Sequence, residues 1–346
     1  MNRRALFLDR TPGETRGVVT LDDRPERLII RRDGDDPRLM LGARLVARVA
    51  SLEPALTTAF LDLGAGAEAI LPYKPDARPV VGKALEIEIR SEPRRGKLAV
   101  ARALGPGEGA PRILAQAPDV EAELRTLARD TELVTGRAAR EIADEAEAEA
   151  LEVVHPLPGG GNVAIEPTRA LVAVDIDLGE RKGADAKRLT RQANLTALGV
   201  AARLLRLKGL GGIVIVDLVG RGHDGQALLA AARAAFGPDN PGVAIGPVGR
   251  FGTMELSLPR RTRPLAEILT RDDGSLSDRT LAQRLVRRLE TEGEAQRGAR
   301  LTARCAPAVG AAAAPLVAQL AQTLGARFAI ESDPSLARER IEVAAR

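Results

Sequence analysis

The sequence predicts a multidomain α/β protein (α+β in its segregation of strands and helices) with a small OB-fold β-barrel inserted near the N-terminus. Three observations predict it. Short alternating strands separated by Gly and Pro turns run over residues 38–105. Two fully apolar strands flank a long amphipathic helix between residues 170 and 217. A final alternation of helices and strands fills residues 263–346.

Composition bounds the rest. The chain has 346 residues, enough for two or three domains of roughly 100–200 residues each. Apolar residues make up 45% and aromatic ones 2%, with no Trp and one Tyr. The core is therefore built from Ala, Leu, Val and Ile, and few rings are on hand for stacking bases. Lys and Arg number 51 against 47 Asp and Glu, a formal charge of +4. That balance fits a nucleic-acid partner without requiring one. The single Cys305 excludes an intramolecular disulfide and a zinc site of several thiolates. No apolar run approaches the roughly 18 residues of a membrane span. Asp9 ends the first apolar run too early for a signal peptide, so the expected compartment is the cytoplasm, with no membrane partner.

In chain order, residues 1–33 read as two or three strands turning at Pro12-Gly13, before Asp33-Gly34-Asp35-Asp36-Pro37 breaks the pattern. The barrel strands are Leu45 to Val49, Thr58 to Leu63, Ala69 to Pro72, Val80 to Ile89 with Leu85, Ile87 and Ile89 on one face, and Lys97 to Val100. The same pattern also fits an unspecialised β-sandwich. Residues 117–152 read as helices, with the acidic run Glu141 to Glu152 as a solvated helix face. Asp185 to Leu207 and residues 226–236 are helices, as are segments near 277–292 and 312–325; strands are expected at 300–303 and 326–330.

The chemistry lies in two strands. Ala170 to Asp175 and Ile213 to Asp217 are apolar runs that each end in a carboxylate. A buried strand gains by staying apolar, and an unpaired buried carboxylate is costly. Paired strands would set the two ends about 4.8 Å apart, where carboxylates repel each other unless a cation sits between them. Magnesium prefers oxygen ligands and is commonly held by one or two carboxylates plus substrate phosphates. It can also generate a nucleophile from bound water. The pattern therefore points to metal-activated attack of water on a phosphodiester. The competing reading is that each Asp merely caps the following helix. Asp177 falls on the same side of the strand as Asp175, as a further ligand or a loop residue. His155 reads as a structural or surface residue, and His223, six residues after Asp217, as within reach of the site or a bystander. Gly159-Gly160-Gly161 lacks the Gly-Lys-Ser/Thr of a phosphate loop and reads as a hairpin turn. Arg260-Arg261-Thr262-Arg263 is a candidate for binding phosphates.

Taken together, these blocks resemble the ribonuclease E/G family. Ile165-Glu-Pro-Thr-Arg-Ala-Leu-Val-Ala-Val-Asp175-Ile-Asp177 looks like its first catalytic motif. Asn194-Leu195 and Leu205-Arg206-Leu207 to Asp217 look like its second, and Arg250-Phe251-Gly252-Thr-Met-Glu255-Leu-Ser like a third block. Glu53-Pro54 to Gly64, followed by Ile70-Leu71-Pro72, resembles its OB-fold RNA-binding domain, and residues 273–346 its small domain.

The resemblance implies magnesium-dependent endonucleolytic cleavage of single-stranded RNA in mRNA decay or rRNA processing, with Mn2+ as an alternative ion. It places the catalytic and metal-holding pair on Asp175 and Asp217, supported by Asp177, where the family carries Asn, and by Asn194. RNA contacts fall on Phe60, Lys97, Arg250 and Phe251. One OB-fold aromatic becomes Ile70. The implied organisation is a reduced ribonuclease-H-like region over 1–35 and 106–160, and an OB-fold domain over 36–105. A deoxyribonuclease-I-like catalytic α/β domain covers 161–262, and a small C-terminal α/β domain 263–346. The family's paired-cysteine zinc link belongs near 262–272, where no Cys stands. The expectation is no structural zinc and, where a homodimer forms, one without that link. The segment carrying the family's pocket for an RNA 5′ phosphate is short here; of its arginines only Arg250 is matched. The alternative function is a non-catalytic RNA-binding factor on the same scaffold; loss of either strand-end Asp would favour it, and both are present.

Overall fold

A computed structural model describes residues 3–180, 185–238 and 240–345. Strands β1 (Arg4–Thr11), β2 (Glu14–Leu21) and β3 (Arg24–Arg32) form an antiparallel meander. Its second turn is the pair Asp22-Asp23, both left-handed, with φ of 50° and 63°. Two such residues make the tight hairpin turn whose twist matches its strands.

The chain then leaves this sheet to build the barrel. Strands β4 (Arg44–Glu53), β5 (Thr58–Gly64), β6 (Ala67–Pro72), β7 (Ala84–Ser91) and β8 (Ala99–Pro106) close in the order β4-β5-β6-β8-β7-β4, and only β6 and β8 run parallel. A register shift between Val49 and Ser51 bends β4 as it pairs with β5. Alternate residues point inward: Leu45, Ala47, Val49, Leu61, Leu63, Ile87 and Ile89 are all buried. The many inward alanines suit a barrel this narrow. Three expectations need correction. The fourth strand starts at Ala84, because Gly82 turns the chain with φ of 82°, leaving Val80 and Val81 exposed. Lys97 lies in a turn closed by backbone bonds to Arg94 rather than at the start of a strand. A further strand, β9 (Arg112–Ala115), pairs with the beginning of β4.

Helix α1 (Val120–Leu127) packs Val120 and Leu124 on the first sheet. The all-helical reading of 117–152 fails next, since β10 (Leu133–Thr135) joins that sheet parallel to β1 before α2 (Arg137–Leu151) begins. Nor is the acidic run of α2 merely solvated. Glu147 is buried and meets Arg287 at 3.0 Å, Arg284 at 2.8 Å and Arg16 at 3.3 Å. Arg16, 1% exposed, also meets Asp9 at 2.6 Å and Asp144 at 2.7 Å. Glu14 receives Arg32 and Arg287, each at 2.6 Å. The partners come from distant parts of the sequence, so the helix-face pattern alone did not reveal them.

The largest sheet follows: β11 (Val154–Pro156), β12 (Asn162–Pro167), β13 (Val172–Asp177), α3 (Ala186–Leu207), β14 (Gly212–Asp217), α4 (Gly225–Phe236), β15 (Ala244–Val248) and β16 (Thr253–Leu258). Its order is β11-β12-β13-β14-β16-β15. Only β13 and β14 are parallel, joined by α3 as crossover. After α5 (Leu265–Leu269), the chain ends in α6 (Asp278–Ala295), β17 (Leu301–Cys305), α7 (Pro307–Leu324), β18 (Phe328–Ser332) and β19 (Glu342–Ala345), with strand order β18-β17-β19. Arg287, on α6, ties this last unit to β2 and α2 through the charged cluster.

Removing one partner of a buried charge cluster leaves the others uncompensated, a loss of about 3–5 kcal/mol. Glu147→Ala should therefore lower unfolding stability by that order in urea denaturation. Burial alone would raise the Glu147 pKa, but Arg287, Arg284 and Arg16 hold it below the usual glutamate range. Its folded value is thus the lower one, so its contribution is present at neutral pH and lost as the pH falls below that range. The stability gap between wild type and Glu147→Ala should narrow in acid.

Candidate active site

In β13, Val172, Val174 and Ile176 are buried against α3, where Ala197, Leu198 and Ala201 are likewise buried. The strand period of two then sends Ala173, Asp175 and Asp177 to the opposite face. In β14, Val214 and Val216 are buried, and Ile213, Ile215 and Asp217 share that opposite face. The parallel register sets Asp175 directly beside Asp217. Across the sheet the row reads Ala164, Asp175, Asp217, Thr253, one residue from each of β12, β13, β14 and β16. Both aspartates are exposed, and among the described residues neither carboxylate has a hydrogen-bond or ion-pair partner. The pair therefore stands at the carboxyl ends of two adjacent parallel strands, the edge where open α/β sheets bind ligands. The helix-capping alternative does not describe either residue: α3 is capped by Asp185, which accepts from the Arg188 N–H, and α4 by Asp224, which accepts from the Ala227 N–H.

Asp177 stands opposite Asn162 on the same face. Its Oδ1 accepts the Gly179 N–H at 2.9 Å, so one oxygen is engaged in a turn. Gly161 is required beside it: φ is +75°, and a Cβ there would lie 2.3 Å from the Asp177 carbonyl oxygen. Asn194 is elsewhere. It is 1% exposed, its Nδ2 donates to the Val219 carbonyl, and its Oδ1 accepts the Val219 N–H, both at 3.0 Å. Both ends of its amide are used to hold the segment after Asp217, so it positions that strand end from behind.

The β15–β16 hairpin completes the neighbourhood. The Leu218 N–H donates to the Gly252 carbonyl at 3.1 Å, tying the hairpin tip to the residue after Asp217. At the tip the Arg250 guanidinium lies 4.6 Å from the Phe251 ring centre, and Phe251 is 80% exposed. His223 lies behind it, with Nε2 buried and without a hydrogen-bond partner among the described residues. Phe60, partly exposed and opposite Ile70, and Lys97 in its turn both sit on the barrel, a separate sheet. Thr253 and Asn162, which flank the aspartates, were missed in the sequence; the alternation from Thr253 to Leu258 was the signal for the first.

Among the described residues no group of three or more His, Cys, Asp and Glu could hold a metal ion. The donor set at the strand ends is two unpartnered carboxylates, which fits an ion taking its other ligands from water and substrate phosphate, as magnesium does. It does not fit a closed structural zinc cage. Cys305 is buried in the C-terminal unit, and burial pushes its thiol pKa up.

A mixed α/β protein with an in-register carboxylate pair on an open sheet face is the class that fold and site define. Residues 114–261, from β9 to just past β16, match the sequence model of the Ribonuclease E/G family. Ribonuclease E of Haemophilus influenzae is 34% identical over 114 residues, 32% of this chain and 12% of the relative. Ribonuclease E of Escherichia coli strain K12 is 33% identical over 114 residues, 32% of this chain and 11% of the relative. The chloroplastic Ribonuclease E/G-like protein of Arabidopsis thaliana is 32% identical over 114 residues, with the same shares. The match thus spans about an eighth or less of these relatives' length.

Asn194→Ala removes two hydrogen bonds to a largely enclosed backbone unit, at about 1–3 kcal/mol. Thermal unfolding should show that loss. Asn194→Asp, which still accepts from the Val219 N–H but sets a buried carboxylate against the Val219 carbonyl oxygen, should lose at least as much. Equal stability of all three proteins would remove Asn194 from its clamping role.

Proposed function

We propose that this protein is an endoribonuclease that cuts single-stranded RNA at the face carrying Asp175 and Asp217, acting in mRNA decay or rRNA processing in the cytoplasm. The observation that carries the reading is the parallel register that sets two unpartnered carboxylates side by side. The family match over residues 114–261 and the relatives named Ribonuclease E support it. Asp175 and Asp217 would hold magnesium, or manganese in its place, with Asp177 and Asn162 as neighbouring oxygen donors. A magnesium ion held there supplies charge neutralisation at a phosphoryl oxygen and activation of an attacking water. The protein's own groups do the rest. Arg250, with no ion pair among the described residues, attracts backbone phosphates to the hairpin tip. Phe251 offers an exposed ring to a base, a contact of about 1–3 kcal/mol. The five-stranded barrel is read as an OB fold that holds RNA through Phe60 and Lys97.

The domain assignment belongs to the same proposal: a reduced ribonuclease-H-like region in the first sheet with α2, a deoxyribonuclease-I-like sheet around the aspartates, and a small C-terminal unit. Any homodimer would form without a zinc link, since the sole cysteine is buried. No helix among the described residues is long and apolar enough to cross a membrane.

Pure protein and a labelled single-stranded RNA, with magnesium or with EDTA, give the direct test. Cleavage should require the ion. Asp175→Asn and Asp217→Asn should each abolish cutting while RNA binding persists, because phosphate contacts elsewhere supply most of the affinity. Wild-type cutting by both variants would overturn the assignment.

The second test concerns the RNA 5′ end. A pocket for a terminal monophosphate needs several converging donors. Between the barrel and β11 the chain offers only β9, α1, β10 and α2, and among the described residues Arg250 stands against Phe251 with no ion pair. Cleavage rates for one RNA carrying a 5′-monophosphate, triphosphate or hydroxyl should agree within about tenfold, or roughly 1.4 kcal/mol. A larger preference for the monophosphate would mean a terminal-phosphate pocket exists.

A further inference from the structure

Away from the carboxylate face, a cavity of about 360 Å³ lies where β3, α1, α3, the barrel and the segment between β16 and α5 converge. That is near the lower end of the roughly 300–1,000 Å³ of small-molecule sites. Its apolar lining includes Leu205, Phe236 and Leu258. Its charged lining is five arginines, at 27, 31, 206, 261 and 263, against Glu92 and Glu123.

Both acids are already engaged. Arg31 meets Glu92 at 3.2 Å and Glu123 at 3.3 Å. Glu92 also accepts the backbone N–H groups of Leu41 at 3.3 Å and Arg263 at 3.0 Å. Several donors are in excess. The Arg206 Nε is buried with no hydrogen-bond partner among the described residues, although its other nitrogens reach Glu26 and the Ala235 carbonyl. The Arg263 guanidinium has no partner among them, and Arg261 makes one long bond to the Pro241 carbonyl at 3.3 Å. A buried N–H donor left unmade is costly. A bound anion satisfies it and balances the positive excess. Burial pushes the Glu123 pKa up even with Arg31 beside it. The Arg260-Arg261-Thr262-Arg263 run, which the RNA-cutting face does not use, delivers its last two arginines here.

We propose that this cavity binds a free nucleoside monophosphate, with the phosphate on Arg206 and Arg263 and the flat base over the apolar floor. An anion with an apolar, planar body matches guanidinium donors beside Leu205, Phe236 and Leu258. The barrel contributes Glu92 and the linker contributes Arg263, so an occupant touches the junction between barrel and body.

Calorimetric titration of the full chain in EDTA tests this independently of RNA cleavage, since no metal-held phosphate can then contribute. 5′-AMP should bind once per chain, at least tenfold more tightly than inorganic phosphate or adenosine alone. Arg263→Gln should weaken it at least tenfold with an unchanged circular dichroism spectrum, and Asp175→Asn should leave it intact. Thr126→Trp, which fills the cavity from α1, provides a second variant should Arg263→Gln fold poorly, and should also abolish binding. Absence of AMP binding at millimolar concentration would overturn the proposal. So would binding unchanged in both cavity variants, phosphate binding as tight as AMP, or equal Arg263-dependent binding of a 5′-phosphorylated decamer, which would make the cavity a reader of RNA ends.

Discussion

The pairing of β13 with β14 is the constraint around which the site is built. Parallel strands cannot be joined by a tight turn and need a crossover, here the 22-residue helix α3. That helix packs on the apolar side of β13, Val214 and Val216 of β14 are buried in the same core, and the period of two leaves every intervening residue on the other side. Once Val174 and Val216 are buried as register partners, Asp175 and Asp217 must emerge together one residue later. Placing two like charges side by side is therefore a consequence of packing chemistry on the far side of the sheet. The face that carries the aspartates is less buried and leaves both carboxylates exposed.

The charged cluster around Arg16 and Glu147 does a different task with the same residue types. It joins β2, α2 and α6, three elements far apart in sequence, where an alanine-rich core has few large side chains to interlock. Arginine suits the position, since its planar fork reaches two or more carboxylates at once and stays charged at any pH the protein meets. Buried ion pairs contribute little net stability compared with apolar packing, but losing one partner is costly because the other stays buried and uncompensated. Through Arg287 the cluster links the C-terminal unit to β2 and α2.

Much of this was legible in the residues. The two strands ending in Asp, the helix between them and the barrel's alternation all follow from short-range periodicity, which burial on one face imposes directly. What escaped notice depends on partners far away in sequence. The strands Leu133–Thr135, Arg112–Ala115 and Glu342–Ala345 are three or four residues long and too short to carry a period. They are strands because an edge was waiting. Glu147 looks like its exposed neighbours until Arg16 and Arg287 arrive. Asn194 was expected to support the aspartates, but nothing in its sequence spacing reveals that both ends of its amide are taken by Val219. Val80 and Val81 read as strand because β-branched residues favour it, and the turn at Gly82 overrides that preference.

The β9 strand, brief as it is, alters the mechanics of the whole molecule. The barrel is inserted between β3 and α1, and the chain that enters it at Arg44 pairs with the chain that leaves it at Ala115. The stalk is thus a zipped ribbon rather than two loose tethers. Two hydrogen-bonded strands resist twisting and lengthening where a single flexible linker would swing freely. The Glu92 contacts to Arg31 and to the backbone of Arg263 pin the barrel's other side. Such a mounting makes the barrel a bracket of set length, and the exposed Phe60 on it stands at a constant reach from the rest of the protein.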